Sequence, residues 1–401
     1  GRDLTVVGTP PKITYLARPM IDFYECDDTT EFRSVTTVNL KEPTQFFAID
    51  PIFGSTFLTH FGTYGGRFAT RFSGGKYTQS NGVDISYGGR ISERGTVQLT
   101  SEFKTGSDRI RVDGVTQPLS EGSGSNAGDA PVADGIIRFG NYPGLGYGLF
   151  LGRVGEILLF DGNVSNADRN TVEASQMSYY MDGKRIVVHG DSLAYGSNLG
   201  LFTRETVNYS GQTRDLLGDG WDVYNRAYPG ASFNNFAGGD FHLINSAAAR
   251  VDVLYRPAAQ QNILVVSTGW NDVNGGESAA TIKAQFILYC LARKARGWKV
   301  VVAPMPISNF PGQNVLYPLI RQEVNAWLAQ HWHEFADAYA DFSNDPIIGN
   351  NANTANTFYW QDQLHMTQNG YAVWAQYLKP ALESIDDTDI SAKPAANFLQ
   401  P

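Results

Sequence analysis

The chain has 401 residues, which suggests two or three domains, and 42% of them are hydrophobic, enough to build sizeable cores. Charged residues make up only 18%, and the formal net charge is -9. An acidic surface without a run of Lys or Arg disfavours contact with phosphate backbones and anionic membranes. We therefore expect neither a nucleic acid nor a membrane as a partner. No apolar stretch is long enough to cross a bilayer.

Residues 1–163 show a pattern of short strands and turns. Aromatic residues and glycines are frequent there, and no long helical period appears. The dipeptide Asp113-Gly114 is typical of a tight hairpin turn. Four segments have the composition or alternation of strands: 96–103, 109–117, 135–141 and 155–162. The sequence therefore predicts an all-β sandwich domain over residues 1–163.

A short helix follows the predicted β domain. Ser165 is a typical N-cap residue, and Asp168, three positions later, completes a capping box. We predict that residues 164–183 form a helical linker to the second half of the chain.

From residue 184 onward, apolar strand-like runs alternate with helical patterns. The strand-like runs are 184–192, 221–230, 262–272, 299–307 and 335–343, and the clearest helical patterns are 278–298 and 314–332. This alternation predicts an α/β domain over residues 184–386, with a parallel sheet covered on both faces and a polar tail over 387–401. In such sheets the functional site lies beyond the carboxyl ends of the strands.

Three residues near the predicted strand ends and the last helix could perform nucleophilic catalysis. Ser192 follows the first strand, but a serine hydroxyl needs a base within hydrogen-bond reach. His365 can be that base, because imidazole titrates near neutral pH. Asp362 precedes it by three residues, and on one turn this spacing places both side chains on the same side. The alternative for Ser192 is a serine in a turn, and for His365 a histidine bonded to Asp362 for structure alone.

The oxyanion of a tetrahedral intermediate needs donors that already point at it. We expect them to be the backbone N–H of Ser192, the backbone N–H of Gly230 and the side-chain amide of Asn271. Gly230 has no Cβ to block the approach of a substrate. The alternatives are a plain turn glycine at 230 and an N-cap role for Asn271, although Asp272 or Ser278 could cap the following helix instead.

The residues just considered fall into four sequence blocks. These are Gly190-Asp191-Ser192-Leu193, the segment 225–232 with Gly230, Gly269-Trp270-Asn271-Asp272, and Asp362-Gln363-Leu364-His365. In these blocks the chain resembles the SGNH (GDSL-type) hydrolase superfamily, over about residues 184–385. The resemblance implies a three-layer α/β/α fold, no metal and no cofactor. It also implies ester hydrolysis through an acyl-serine intermediate.

The end of the β half, residues 155–181, is similar to the end of concanavalin-like (laminin-G-like) jelly-roll domains, which often bind glycans. Among SGNH enzymes an attached jelly roll is typical of carbohydrate acetylesterases. We therefore expect removal of O-acetyl groups from a polysaccharide, by a phage tail fibre or tailspike or by a secreted bacterial esterase. The expected location is extracellular or on a virion, with no signal peptide evident in this chain. A homo-oligomer, trimeric if the chain is a phage tail protein, fits this hypothesis.

Aromatic residues lie within or beside the four blocks. Tyr195, Trp270 and Trp360 could form a wall on which sugar rings stack, or they could simply pack in the core. Two other functions stay open. One is a glycan-binding or structural virion protein with an inactive hydrolase fold. The other is a lipid or thioester hydrolase, which would need an apolar acyl pocket that the small, polar residues after Ser192 do not suggest.

The cysteines and the remaining histidines indicate no further site. Cys26 and Cys290 are far apart in sequence, and we expect two separate buried thiols rather than a disulfide. His331 and His333 point apart at a spacing of two, so we expect no metal there. We expect His189 to pack below the site.

Overall fold

The computed structural model divides the chain into two compact units, Gly1–Asp182 and Gly183–Pro401. For the strands named below the structure describes at least the backbone. Both backbone and side chains are described for residues 44–49, 98–103, 109–116, 154–160, 162, 164–180, 182–199, 207–218, 221–233 and 243–386. Within the last range, the side chains of residues 248–250 and 253 are not described. No helix among the described residues has both the length and the apolar character needed to cross a membrane.

The described strands of the first unit pair only in antiparallel fashion. They are β1 (Leu4–Val7), β2 (Lys12–Tyr15), β3 (Pro19–Asp22), β4 (Glu31–Ser34), β5 (Val38–Leu40), β6 (Thr44–Pro51), β7 (Thr59–Phe61), β8 (Phe68–Ser73), β9 (Lys76–Ser80), β10 (Ile85–Arg90), β11 (Val97–Glu102), β12 (Arg109–Val112), β13 (Val115–Thr116), β14 (Ala133–Gly135), β15 (Ile137–Gly140) and β16 (Gly152–Phe160). One sheet has the order β1-β4-β15-β7-β8-β9-β10, the other has the order β13-β12-β11-β6-β16-β3-β2, and β5 pairs with β14. Each of the four predicted strand segments contains a strand. The jelly-roll arrangement stays a prediction.

The turn between β12 and β13 has the predicted hairpin chemistry. Asp113 has a φ of 49° and Gly114 a φ of 75°, both in the left-handed region that tight hairpin turns require. The strands on either side pair through Val112 and Val115. The predicted hairpin is therefore confirmed.

Helix α1 (Asn166–Tyr180) begins at the predicted cap. The Ser165 hydroxyl oxygen accepts the backbone N–H of Asp168 at 3.1 Å and donates to the carboxylate of the same residue at 2.7 Å. The capping prediction is confirmed, and Asp168 closes the cap with its side chain.

Helix α1 packs on β6 and β11 through a polar face. Glu173, which is buried, accepts hydrogen bonds from Arg111 Nε and from the Thr100 hydroxyl, both at 2.8 Å. Arg169, also buried, pairs with Glu102 at 3.1 Å. Buried charges are tolerated only when they are paired, so these bonds fix the helix on the sheet in one register. The predicted linker helix is thus an integral part of the first unit.

The second unit contains one parallel sheet, as predicted. Its described strands are β17 (Lys184–Gly190), β18 (Trp221–Asn225), β19 (Gln261–Ser267), β20 (Lys299–Val302) and β21 (Ala338–Tyr339). They run in the order β18-β17-β19-β20-β21, and every neighbouring pair is parallel. All five predicted strands are present, although the last is reduced to two residues.

Helices cover both faces of this sheet. They are α2 (Ser192–Tyr195), α3 (Tyr209–Leu217), α4 (Leu243–Arg250), α5 (Trp270–Asn274), α6 (Ala279–Lys294), α7 (Tyr317–His331) and α8 (Gln368–Ser384), with short 3₁₀ turns at Asp252–Leu254, Trp332–Glu334 and Asn351–Asn353. α3 and α8 share one core with Ile186 and Val188, whereas α4, α6 and α7 share the other with Val187. Successive strand residues face opposite sides, so a strand buried on both faces is apolar throughout. The predicted α/β fold is confirmed.

Side-chain caps define the helix starts. Ser278 caps α6, as one of the alternatives from the sequence suggested, and Thr367 caps α8. Asn208 caps α3, a helix that the sequence analysis did not predict. Its Tyr209 ring stacks on Trp374 of α8 at a centroid distance of 4.7 Å, which joins the two helices on one face of the sheet.

The thiol of Cys290 lies in the buried face of α6 and forms no disulfide. Burial raises its pKa far above the ordinary range for a thiol, which keeps it protonated and unreactive. The prediction of a buried thiol is confirmed for Cys290, and Cys26 lies outside the described residues.

A glycine is required where β17 meets β19. A Cβ on Gly190 would lie 2.0 Å from the carbonyl oxygen of Ser267, so Gly190→Ala must push the two strands apart. We predict a loss of about 3 kcal/mol or more in the free energy of unfolding of the second unit. Urea titrations followed by tryptophan fluorescence measure it, because all seven tryptophans lie in residues 183–401.

Gly312→Ala is the matched control for this prediction. Gly312 has a φ of +88°, and nothing lies within 4 Å of an added Cβ, so the substitution costs only backbone strain of about 1–2 kcal/mol. Equal losses in the two variants would contradict the close contact at Gly190.

Candidate active site

The first strand of the α/β sheet delivers Ser192 to the edge where the carboxyl ends lie. β17 ends at Gly190, and α2 begins immediately afterwards at Ser192. Asp191 caps this short helix, since its Oδ1 accepts the backbone N–H of Leu193 at 3.0 Å. The hydroxyl of Tyr371, from α8, donates to the Leu193 carbonyl at 2.9 Å. These contacts fix the backbone on both sides of the serine.

A tight loop, rather than a helical turn, presents Asp362 and His365. The loop is closed by a bridge between Trp360 and Met366, and the backbone N–H of Gln361 donates to the His365 carbonyl at 2.8 Å. Asp362 Oδ1 accepts the N–H of His365 at 2.7 Å. The carboxylate therefore organises its own loop, and the spacing of three places both side chains on one side without a helix.

Ser192, His365 and Asp362 form a continuous chain of hydrogen bonds. His365 Nε2 lies 3.0 Å from Ser192 Oγ, and His365 Nδ1 lies 2.7 Å from Asp362 Oδ2. An ionised carboxylate only accepts, so the Nδ1 proton points at Asp362 and leaves Nε2 free to accept the serine proton. The structure brings all three predicted residues together in the order that nucleophilic catalysis needs. The imidazole is mostly enclosed, with 15% of its side chain exposed.

The pKa of Asp362 is lowered. Partial burial alone would raise it, but the His365 side chain, the His365 backbone N–H, the charge of the imidazolium and the Leu364 N–H together outweigh burial. Asp362 is therefore ionised at neutral pH, as a residue that orients and stabilises an imidazolium must be.

Asp191, directly before Ser192, has a raised pKa. Its side chain is almost fully buried, and burial raises its pKa from 3.8 to about 7, while the backbone N–H groups of Leu193 and Ala194 offset this only in part. Desolvation disfavours the charged form of a carboxyl group that has no cation beside it. Asp191 thus supports the backbone at low energetic cost only when it is neutral.

The Gly230 loop is tied to the end of β17 and to α5. The N–H of Tyr228 donates to the Gly190 carbonyl at 2.9 Å. Asn271 Nδ2 donates to the Ala231 carbonyl at 2.8 Å, and Asp272 Oδ1 accepts the N–H of Phe233 at the same distance. Three separate segments are therefore held together at one edge of the sheet.

Gly230 has a φ of +81°, which favours glycine, and an added Cβ would meet no atom within 4 Å. One Asn271 amide hydrogen binds the Ala231 carbonyl, and the second is available for another acceptor. Among the described residues, no acceptor contacts the N–H of Ser192 or of Gly230. Ser278 caps α6, so Asn271 is not that cap. The oxyanion role of these three residues stays a prediction.

The aromatic residues of the sequence blocks lie in different environments. Tyr195 and Trp270 are half-buried, and the Trp270 ring packs edge-on against Phe310 at 6.0 Å. Trp360 is only 1% exposed and belongs to the core beneath α8. The expectation that Trp360 forms a sugar-binding wall is therefore wrong. Phe358 is 58% exposed, two residues before it.

Asn198 is a polar residue of this site that the sequence analysis missed. Its amide nitrogen lies 3.1 Å from Asp362 Oδ2, although 164 residues separate the two in sequence. No motif marks such a contact. The one available signal is its place in a short polar turn after Ser192, where asparagine tolerates left-handed backbone.

The other histidines have separate environments. His189 is buried below the site, as expected, with Nδ1 at 2.5 Å from the Tyr289 hydroxyl. His331 pairs with Glu334 at 2.7 Å on the surface. The side chains of His60 and His242 lie outside the described residues. The described part of the chain contains no group of three or more His, Cys, Asp or Glu side chains that could hold a metal.

Residues 188–373 match the model of the GDSL-like Lipase/Acylhydrolase family. The matched segment covers 186 of the 401 residues and lies within the second unit, which is called the GDSL-like hydrolase domain below because of this similarity. The matched segment begins within β17 and ends in the first turns of α8, so it includes every residue of the hydrogen-bonded chain described above. No curated protein matches the chain in sequence.

Solved structures similar to the GDSL-like hydrolase domain include three esterases or lipases. A carbohydrate acetylesterase from Sinorhizobium meliloti is 14% identical, with 50% of this chain and 99% of that chain covered at a TM-score of 0.40. A GDSL-like lipase from Bacteroides thetaiotaomicron is 18% identical, with 55% of this chain and 98% of that chain covered at a TM-score of 0.39. The esterase EstA from Pseudoalteromonas is 12% identical, with 50% of this chain and 97% of that chain covered at a TM-score of 0.38.

The raised pKa of Asp191 predicts a pH-dependent stability. The unfolded chain ionises this carboxyl near 3.8, whereas the folded domain holds its proton up to about pH 7. Folding therefore loses stability as the pH rises from about 4 to 7, on the order of 2–4 kcal/mol, and the loss is complete above that range. Asp191→Asn keeps an oxygen acceptor for Leu193 but cannot ionise.

The measurement is the free energy of unfolding of both proteins at pH 4.5 and pH 8, from urea titrations with tryptophan fluorescence. We expect the free energy of unfolding of Asp191→Asn, taken relative to that of the unmodified chain, to be higher at pH 8 than at pH 4.5. A difference that is the same at both pH values would contradict the neutral, buried state of Asp191.

Proposed function

We propose that the GDSL-like hydrolase domain is a serine esterase that removes O-acetyl groups from a polysaccharide. The observation that carries the proposal is the unbroken chain from Ser192 Oγ through His365 to Asp362, at 3.0 and 2.7 Å. A nucleophile, a base and an orienting carboxylate in this order are suited to acyl transfer from an ester.

The first half of the reaction acylates the enzyme. Ser192 Oγ attacks the ester carbonyl carbon while its proton passes to His365 Nε2. The oxyanion accepts hydrogen bonds from the Ser192 and Gly230 N–H groups and the Asn271 amide. When the intermediate collapses, the bond from carbon to the sugar oxygen breaks, and His365 gives its proton to that oxygen. The products are a free sugar hydroxyl and an acetyl-serine.

The second half restores the serine. A water molecule attacks the acetyl carbonyl, and His365 Nε2 takes its proton. Collapse of this intermediate breaks the bond to Ser192 Oγ, which regains the proton, and acetate leaves. Asp362 keeps its charge throughout and stabilises the imidazolium in both halves. Apart from the substrate and this water molecule, the proposed steps use only side chains and backbone of this chain.

Polar surroundings of the nucleophile support a short acyl group. The residues directly after α2 are Gly196, Ser197 and Asn198, and Asn198 exposes its amide beside the catalytic dyad. A long lipid chain gains binding energy from apolar surface, which these three residues do not offer. The half-buried rings of Tyr195 and Trp270 suit the C–H faces of a sugar. If the substrate is an acetylated surface polysaccharide, the protein acts outside the cell or on a virion. The proposal is compatible with a homo-oligomer.

Acetate release tests the proposal. The chain is incubated with an O-acetylated bacterial polysaccharide, and acetate is measured enzymatically beside the Ser192→Ala variant. We expect a loss of about 10⁴-fold or more in the variant, because no other group can form the acyl intermediate. Ser384→Ala is the matched control, since Ser384 is the exposed last residue of α8 and its hydroxyl donates to the Ala381 carbonyl.

The contrary outcomes separate chemistry from substrate. If a small aryl acetate is cleaved in a Ser192-dependent way but the polysaccharide releases no acetate, the proposed substrate is wrong and the esterase activity stands. If neither substrate is cleaved, the esterase proposal fails.

A further inference from the structure

Asn198 lies on the turn that follows the nucleophile helix. α2 ends at Tyr195, and the N–H of its C-cap residue Gly196 donates to the Ser192 carbonyl at 3.1 Å. Asn198 comes two residues after Gly196 and has a φ of 68°. Left-handed backbone is uncommon outside glycine, and asparagine tolerates it best among the larger residues. This conformation places its side chain toward the Asp362–His365 loop.

The amide of Asn198 contacts the catalytic dyad itself. Its Nδ2 lies 3.1 Å from Asp362 Oδ2 and 3.4 Å from His365 Nδ1. The opposite orientation of the amide would place its oxygen against an ionised carboxylate, which is repulsive, so the nitrogen faces Asp362. Because His365 Nδ1 already donates to Asp362, the amide is a second donor to the same carboxylate oxygen.

The donors to Asp362 come from two different parts of the chain. Oδ1 accepts the N–H groups of Leu364 and His365, and Oδ2 accepts His365 Nδ1. All of these belong to the loop of Asp362 itself. Among the described residues, Asn198 is the one donor that reaches this carboxylate from another segment.

We propose that Asn198 is a positioning residue that holds the Asp362–His365 loop against the Ser192 segment during the reaction. This inference rests on the proposed function. The Ser192–His365 hydrogen bond is broken and remade in every half-reaction, so it cannot by itself keep the two segments in register. The bond from Asn198 to Asp362 takes no part in proton transfer and persists. A misplacement of about 1 Å at a reacting group can reduce a rate by about 10²-fold.

The first test removes the side chain without straining the backbone. Asn198→Gly suits the positive φ and deletes the amide. We expect kcat toward an aryl acetate to fall about tenfold with KM changed by less than about twofold, because only the alignment of the base is lost. Asn369→Ala is the control: this exposed amide donates to the Phe358 carbonyl at 3.3 Å, outside the hydrogen-bonded chain. Tryptophan fluorescence checks that all variants are folded.

The second test uses charge. Asn198→Asp keeps the shape of the side chain but replaces the amide donor with a carboxylate, which repels Asp362 Oδ2 at this distance. We expect kcat toward the aryl acetate to fall by more than in Asn198→Gly, with KM again changed by less than about twofold. The rate at which an alkyl fluorophosphonate labels Ser192 should fall in the same order, and this readout does not need ester turnover.

The outcomes are distinct. Unchanged kcat in Asn198→Gly, or labelling of Ser192 at an unchanged rate in Asn198→Asp, would overturn the positioning role. If the unmodified chain shows no turnover that depends on Ser192, the proposed esterase fails instead. In that case the labelling rates decide on the positioning role: slower labelling in Asn198→Asp retains it, and an unchanged rate overturns it.

Discussion

The close approach of β17 and β19 at their carboxyl ends is the constraint on which the site depends. Only a glycine at position 190 lets the strand run past the Ser267 carbonyl, since a Cβ would lie 2.0 Å from that oxygen. The chain then turns at once into α2, with Ser192 as its first residue. The Gly190 carbonyl also accepts the N–H of Tyr228, which draws the Gly230 loop to the same edge. A wider spacing here would separate the nucleophile from its expected oxyanion donors.

The pKa values of two carboxyl groups near Ser192 are shifted in opposite directions by their surroundings. Asp362 is partly exposed and surrounded by N–H donors, so its pKa is lowered and its charge is available to His365. Asp191 is buried, so its pKa is raised to about 7, and it caps α2 from within the core. The same functional group thus supplies charge at one position and backbone support at the other, and the difference comes from solvation.

Much of this arrangement could be predicted from the sequence, for physical reasons. The strands of the α/β sheet are apolar because both faces are buried, and the blocks with Ser192, Asn271 and His365 follow strand ends or precede a capped helix. The helix 166–180 was harder to place, because its buried face carries Arg169 and Glu173 instead of apolar residues. Its position on the sheet depends on partners such as Arg111 that no periodicity reveals.

Two features of the site depend on tertiary contacts alone. Asn198 reaches Asp362 across 164 residues of sequence, and a lone asparagine in a turn carries no signal for such a partner. Trp360 lies in the same short segment as the exposed Phe358, yet it is buried beneath α8. The sequence left a stacking wall and core packing both open there, and only the packing of the loop decides which ring faces solvent.

Covalent trapping of Ser192 tests whether His365 activates it as a nucleophile. The chain is treated with an alkyl fluorophosphonate, and the adduct is located by mass spectrometry of its peptides. We predict one adduct, on Ser192, that forms about 10²-fold or more slowly in His365→Ala, since the serine then lacks its base. Labelling of Ser192 at the same rate in both proteins, or no labelling of Ser192 at all, would contradict it.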